Sequence, residues 1–353
     1  KLEAEEEPWF SLWRETREWS LESFRAIFKE LGVVPDVWYY ESDVEQPGKE
    51  LVKKMLTDGI AKKSQGATIV DLEDEKLGVF LALKTDGSSL YATKDLALAY
   101  RKEKDYAPDR QIFVIDVRQS LYMKQLFATL KRMQFQPELV HLGFEVVTLP
   151  DGAMSSRKGN VVRYEDIRDA LIARAHEETL KRHPEWAQKK VTTTARALAV
   201  AALKFSMLRV SNNQVITFDI NEALAFDGFT GPYLQYSLAR IKSIFKKARI
   251  VPARSHLVRG VQGETLEKEE EHLIFLLTQF PDILVKARET HEPSVLAKYL
   301  FELTRAFSTW YEACPVLTAT PEIKKARLAL LTALHKILSE GLYLLGIPIL
   351  KEM

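Results

Sequence analysis

An apolar run, Leu139-Val140-His141-Leu142-Gly143-Phe144-Glu145-Val146-Val147, gives way within a few residues to Asp151-Gly152-Ala153-Met154-Ser155-Ser156-Arg157-Lys158-Gly159-Asn160-Val161-Val162. The run has the length and composition of a buried strand. Gln111–Asp116 reads as another, and residues 119–134 as a helix between them. Strand–helix–strand spacing of this kind favours a parallel sheet with right-handed crossovers. Open parallel sheets bind nucleotides outside the carboxyl ends of their strands. A loop placed there can neutralise phosphate charge through backbone N–H groups, the Ser155 and Ser156 hydroxyls, and the cations Arg157 and Lys158. The same segment also reads, more simply, as a solvated basic turn.

Upstream, the apolar positions from Trp9 to Leu31 recur at helical spacing, and Gly32 suits a helix stop. Asp36–Tyr40 is predicted as a short strand from its β-favouring side chains. A short amphipathic helix is predicted over 48–58. Thr68–Leu72 and Gly78–Leu83 flank the acidic turn Glu73-Asp74-Glu75-Lys76 and predict a β-hairpin with a solvated tip. Ser88 to Asp95 leads into a further helix. Beyond about residue 165 strand signals nearly vanish. Helical patterns cover roughly 165–184, 192–210, 230–249, 266–289, 293–312 and 321–345, with Pro232 and Pro321 in first turns. The expected fold class is therefore α/β: a partial Rossmann-like parallel sheet followed by an all-α bundle. The expected divisions are 1–165 for the sheet, 166–190 for a connecting helical segment, and 191–353 for the bundle.

Composition narrows the function classes. The net charge is +1, so any nucleic-acid surface must be a local patch. Cys314 is the only cysteine, which excludes an internal disulfide and fits a reducing compartment. The histidines are scattered without zinc-ligand spacing, and no metal site is expected. No apolar run reaches the roughly 18 residues of a membrane span. The acidic start, Lys1-Leu2-Glu3-Ala4-Glu5-Glu6-Glu7, lacks a signal-peptide core. A cytoplasmic protein with no membrane partner is the expectation, and the abrupt helical start looks like the inside of a longer chain.

The segment 153–162 resembles the K-M-S-K-S-K-G-N-V-V signature of class I aminoacyl-tRNA synthetases. Ala153 and Ser156 stand where that signature has lysines, while Lys158 is kept. Further markers occur in order along the chain: Gly66-Ala67 with Asp71-Leu72, Asp86-Gly87-Ser88-Ser89-Leu90-Tyr91-Ala92-Thr93-Lys94-Asp95, Val117-Arg118-Gln119, Asp227-Gly228-Phe229-Thr230-Gly231-Pro232-Tyr233-Leu234-Gln235-Tyr236-Ser237, and Leu344-Leu345-Gly346-Ile347. Together they resemble the arginyl-tRNA synthetase family over essentially the whole chain, beginning partway through its catalytic domain. The resemblance implies ATP-dependent attachment of arginine to tRNA through an arginyl-adenylate. ATP is then the co-substrate, Mg2+ its companion ion, and arginine and tRNA the partners. The C-terminal bundle becomes an anticodon-binding domain.

Residue by residue, the resemblance implies that Met154, Ser155, Ser156, Arg157 and Lys158 act on the phosphates. Tyr91, Asp95 and Gln119 are implied to hold the arginine side chain. A carboxylate pairs with a guanidinium through charge-assisted, geometry-specific hydrogen bonds. Tyr91 and Asp95 share a helix face if the helix begins near Tyr91. Tyr91 also fits a core position, and Gln119 a helix cap. His141, Gly143 and Phe144 are implied, with Met154 and Lys158, to lie along ATP. A satisfied strand histidine beside a packed glycine is the plainer reading of the first two. Tyr233, Tyr236, Arg240 and Met353 are implied to meet the anticodon, although two tyrosines three apart also suit a core stripe. Trp310 and Tyr311 are weaker candidates of the same kind.

The family's other signature, His-x-Gly-His, does not occur in these residues. The resemblance therefore implies an N-terminal catalytic half, on the same or a separate chain, without which this stretch is expected to be inactive. A non-catalytic tRNA- or partner-binding module with the same fold is the competing expectation. A cysteine enzyme is disfavoured because Asp95 would face an uncharged substrate unpaired. A parallel sheet without its first strands exposes an edge and apolar surface, so poor solubility is expected of the chain alone.

Overall fold

The computed structural model describes residues 5–150, 163–250 and 266–353. In chain order the elements are α1 (Trp9–Glu30), α2 (Glu41–Thr57), β1 (Lys62–Ser64), β2 (Ala67–Asp71), β3 (Val79–Leu83), α3 (Tyr91–Tyr106), β4 (Arg110–Asp116), α4 (Ser120–Arg132), β5 (Glu138–Phe144) and β6 (Val147–Thr148). Then follow α5 (Tyr164–Arg182), α6 (Gln188–Leu208), β7 (Ile216–Thr217), α7 (Ile220–Ala223), α8 (Gly231–Ala248), α9 (Lys268–Thr278), α10 (Phe280–Thr290), α11 (Pro293–Ala313) and α12 (Pro321–Leu344). Contacts group these into two compact units. One is Pro35–Val146 with Asn212–Gln214, and the other is Lys1–Val34, Val147–Ser211 and Val215–Met353.

The first unit is α/β. β1, β2 and β3 form an antiparallel meander, and β4 pairs with β5 in parallel, Arg110 opposite Glu138 through Asp116 opposite Phe144. The hairpin expected across the acidic turn is present, with β1 added to it. Its tip is not merely solvated, because Arg132 bridges Asp74 and Glu75 and also donates to the Asp71 carbonyl. The helix expected over 48–58 starts earlier, at Glu41, where the Asp43 carboxylate accepts from the Tyr40 N–H. Its buried face is Val44, Gly48, Val52 and Met55. Gly48 lets it lie against α3, since a Cβ there would sit 2.4 Å from the Thr93 carbonyl oxygen.

Three expectations for this unit need correction. Asp36–Tyr40 is not a strand. It finds no ladder partner among the described residues, and the Tyr39 hydroxyl donates instead to Asp105 on α3. Side-chain propensity alone does not make a strand without a neighbour. The run 139–147 is broken after Phe144, and β6 pairs with β7 rather than continuing β5. β4 is also buried on one face only: Gln111 and Phe113 are buried, Ile112 and Val114 exposed. A parallel strand is apolar throughout when both faces are covered, and here helices cover one.

The second unit is almost wholly helical. α5 packs on α6, with Leu171 and Ala175 meeting Ala195, Leu198 and Ala202. Segment 166–190, expected as a connector, thus joins a core within this unit. A larger core runs through α6, α8, α9, α11 and α12 and includes Phe205, Leu234, Leu300, Phe307, Trp310 and Leu338. α8 starts where the sequence signals it: the Thr230 hydroxyl accepts from the Tyr233 N–H, with Pro232 in the first turn. Gly231 allows close packing on α6, because a Cβ would fall 2.3 Å from the Ala201 carbonyl oxygen. The helix expected over 266–289 is two helices meeting at Gln279. Pro281 stands in the first turn of the second, where its missing N–H costs least. Short β7 and α7 gave no clear sequence signal.

α1 forms as its spacing requires and stops just before Gly32, which takes φ +66°, yet none of its residues is buried. By length and composition alone, α6 is apolar enough to cross a membrane. Its buried residues Ala195, Leu198, Ala202 and Phe205 are spent on the two cores of this unit instead.

Candidate functional site

Within the α/β unit, the segment Asp86–Asp95 turns the chain and launches α3. The Asp86 carboxylate accepts from the Ser88 N–H at 2.8 Å, and Gly87 takes φ +78°. Thr93 is fully buried; its hydroxyl accepts from the Leu90 N–H and donates to the Ala82 carbonyl on β3. Lys94 pairs with Glu41 at 2.7 Å, and the Ser89 hydroxyl donates to Glu45 at 3.0 Å. These bonds fix the first turn of α3, on which Tyr91 and Asp95 stand.

Tyr91 is the first residue of α3 and is 74% exposed, so the core reading of it is excluded. Asp95, one turn further, is partly buried and accepts from the Tyr122 hydroxyl at 2.5 Å. Burial pushes the Asp95 carboxyl up from its ordinary value; Tyr122 and then Lys102 draw it down, and Glu41 pushes it up. Burial, then the Asp95 charge, drives the Tyr122 phenol strongly upward. Lys102 is lowered by burial against the pull of Asp95. A carboxylate held like this can receive a cation with directional donors, a guanidinium above all. Tyr122 was not singled out in the sequence. Its only signal there is a tyrosine three residues after Gln119.

Gln119 closes a 3-10 turn at the carboxyl end of β4. It is exposed and makes no side-chain capping bond to α4, so the cap reading is not realised. In the same turn Arg118 binds Asp116 through both carboxylate oxygens, which holds that carboxyl down at about 2. His141 lies 2.9 Å from the Ile115 carbonyl oxygen through Nε2. A Cβ on Gly143 would meet Val117 at 3.0 Å and the His141 ring at 3.4 Å. Residues at the end of β4 and in the turn after it thus already meet both, whereas Phe144 is exposed at the carboxyl end of β5. Met154, Ser155, Ser156, Arg157 and Lys158 lie outside the described residues.

In the helical unit, a cavity of about 580 Å3 brings Tyr236, Arg240 and Met353 together with His183, Trp186, Lys242, Lys246 and Lys351. The chain end is held there: Lys242 donates to the Leu350 carbonyl at 2.9 Å, and Lys190 pairs with Glu352. His183 stacks on Trp186 at 4.0 Å, and the Lys190 ammonium lies 3.6 Å from the Trp186 ring centroid. Arg240 covers the Tyr311 ring. Tyr233 does not line this cavity. Its ring meets Phe301 edge-on, and its hydroxyl lies 3.2 Å from the Ser308 hydroxyl. Trp310 is fully buried core. His183 and Trp186 were missed; an aromatic in the polar stretch His183-Pro184-Glu185-Trp186 was the available clue.

Comparison with known proteins decides the lineage. Residues 1–220 match the family model described as tRNA synthetases class I (R), catalytic domain, and residues 234–353 match the DALR anticodon binding domain. The chain belongs to the arginyl-tRNA synthetase family. The Arginine--tRNA ligase of Bdellovibrio bacteriovorus is 38% identical over 100% of this chain, which covers 61% of that protein. That of Fusobacterium nucleatum is 33% identical, again over 100% of this chain and 62% of its own length. Thermus thermophilus arginyl-tRNA synthetase superposes with a TM-score of 0.82 at 26% identity, covering 97% of this chain and 64% of that one. The chain therefore spans about 61% of the relatives' length. Each of these relatives carries the matched region within one longer polypeptide, which gives no support to a separate partner chain.

Proposed function

We propose that this chain serves an arginine–tRNA ligase of the cytoplasm. It would hold the arginine side chain and the ATP phosphates in its α/β part and read the tRNA anticodon with its helices. The observation that carries the reading is Asp95, a partly buried carboxylate one turn into α3, beside the exposed Tyr91. Asp95 pairs with the substrate guanidinium, and Tyr91 and Gln119 flank it. The arginine carboxylate attacks the α-phosphate of ATP, releasing pyrophosphate and leaving arginyl-adenylate; a terminal ribose hydroxyl of tRNA then takes the arginyl group and releases AMP. Met154, Ser155, Ser156, Arg157 and Lys158 neutralise the phosphates as charge develops. His141, Gly143 and Phe144 line the nucleoside, with Phe144 the one most open to contact. Mg2+ would come with the phosphates of ATP. Among the described residues no group of three or more acidic, His or Cys side chains stands together to hold a metal, so no step is assigned to the ion.

The functional division is 1–165 for catalysis and 191–353 for the anticodon, with 166–190 as the connection, which also lends His183 and Trp186 to the anticodon cavity. Tyr236, Arg240 and Met353 meet anticodon bases and phosphates in the 580 Å3 cavity, with Trp186 and His183 as added stacking surfaces. The test is binding of a labelled arginine tRNA transcript and of an anticodon-mutated control. Affinity that falls with the anticodon change is the expected result. Equal binding, or none, would favour a non-catalytic module that keeps only the fold. Residues 1–353 contain no His-x-Gly-His, and we expect no ATP–pyrophosphate exchange from them alone; measurable exchange would overturn that expectation.

A further inference from the structure

We infer that Tyr122 is a positioning residue for arginine recognition: its hydroxyl fixes the Asp95 carboxylate in the orientation that receives the guanidinium. The inference rests on the reading of Asp95 given above. The Tyr122 hydroxyl donates to Asp95 Oδ2 at 2.5 Å, the length of a strong hydrogen bond to a charged oxygen. The ring cannot easily leave. It stacks at 6.1 Å on Phe80, which is 1% exposed, and its neighbours on α4, Met123 and Leu126, are fully buried. A free aspartate rotates about two side-chain torsions, and a planar fork of donors is recognised well only if the carboxylate plane is set beforehand. With Oδ2 held, Oδ1 and the remaining lone pair of Oδ2 are left for substrate.

The bond has a second consequence. Burial favours the neutral carboxylic acid at Asp95, and a neutral acid cannot pair with a guanidinium. The groups facing it are Tyr122 from α4, Lys102 from α3 itself and Glu41 from α2. Tyr122 is the largest of the influences that oppose burial, ahead of Lys102, while Glu41 acts with burial. Removing the hydroxyl leaves Lys102 as the sole opposing group among those three. The carboxyl then titrates at higher pH, and the acid limb of kcat/KM for arginine moves upward with it.

The experiment uses the natural-length protein with Tyr122→Phe, Asp95→Asn and the double variant, assayed by tRNA arginylation. Loss of a hydrogen bond to a charged group should raise the arginine KM of Tyr122→Phe about tenfold, with the KM for ATP unchanged and the acid limb displaced to higher pH. The double variant should be no worse than Asp95→Asn, because Tyr122 acts through Asp95. Phenylalanine keeps the ring on Phe80, and a thermal melt equal to the parent's checks folding. Should Tyr122→Phe fail to fold, Tyr122→Met, which also lacks a hydroxyl and adapts to the space beside Phe80, serves as the second variant and should raise the arginine KM likewise. Tyr122→Phe with parental arginine KM and acid limb, beside a defective Asp95→Asn, overturns the inference and leaves the site standing. So do effects that add in the double variant. If Asp95→Asn itself has parental arginine KM, the proposed function fails first.

Discussion

The helical core around Trp310 and the parallel pair β4–β5 differ in how far they close their apolar surface. Trp310, Phe205, Phe307 and Leu300 are completely buried, whereas Ile112 is 43% and Val114 62% exposed on β4. A helix satisfies its own backbone, so a bundle is complete once its apolar stripes face each other. A strand needs neighbours on its edges and cover on both faces. The bundle therefore draws its stability from mutual packing. The α/β unit has a packed core of its own, with Val52, Val70, Phe80, Leu96, Met123 and Leu126 buried together, but it leaves the other face of β4 uncovered.

The difference can be broken by mutation. Trp310→Ala should destabilise the helical unit by about 3–5 kcal/mol, as large-to-small changes in a packed core do. Ile112→Ala should change stability by less than about 0.5 kcal/mol, as surface changes do. Urea unfolding followed by far-UV circular dichroism compares them, and equal costs would end the contrast. Next in size is a pair of glycines that should behave alike. Gly48→Ala and Gly231→Ala each drive a Cβ against a backbone carbonyl of the facing helix. Overpacking of about 1–3 kcal/mol should outweigh the roughly 1 kcal/mol that alanine gains as a helix former. A stabilised variant of either would show that the helices can separate freely.

A smaller effect sharpens the functional side of the bundle. Tyr236→Ala should weaken tRNA binding by about 1–3 kcal/mol if a base stacks there, while Tyr233→Phe should leave it unchanged. Fluorescence anisotropy with labelled tRNA separates the two, and the reverse order would move the anticodon surface. The smallest expected effect is pH-dependent. Burial, reinforced by Lys242, holds His335 below the ordinary imidazole value of 6.5. The unfolded chain therefore takes up that proton first. Stability is full above about 6.5, is lost as the pH falls below it, and stops falling once native His335 is also protonated. His335→Gln should remove this component from the urea midpoint measured between pH 7.5 and 5.5.

Legibility in the sequence followed the same divide. Most of the bundle was plain from period and punctuation. Pro232 and Pro321 stand in first helical turns as expected, while Pro281 split one expected helix into α9 and α10. In the α/β unit the hairpin, α3, β4 and α4 were legible. Asp36–Tyr40 was not, because strand formation depends on a partner that side-chain preference does not reveal. The offset pairing of β6 with β7 escaped for the same reason: two-residue strands carry no period. Tyr91 and Asp95 could be placed on one helix face by counting. That Tyr91 is open to solvent and Asp95 half-sheltered could not be counted.

By itself, then, the sequence determined the succession from an α/β part to a helix bundle, a helix following Ser88–Asp95, and the family markers from Gly66 to Ile347, since these depend on local spacing and residue chemistry. Only the tertiary structure decided which tyrosine touches Asp95, that Tyr236, Arg240 and Met353 share a cavity while Tyr233 does not, and that β4 is covered on one face. Each of these is a meeting of residues far apart in the chain, set by how helices and strands pack rather than by any period within them.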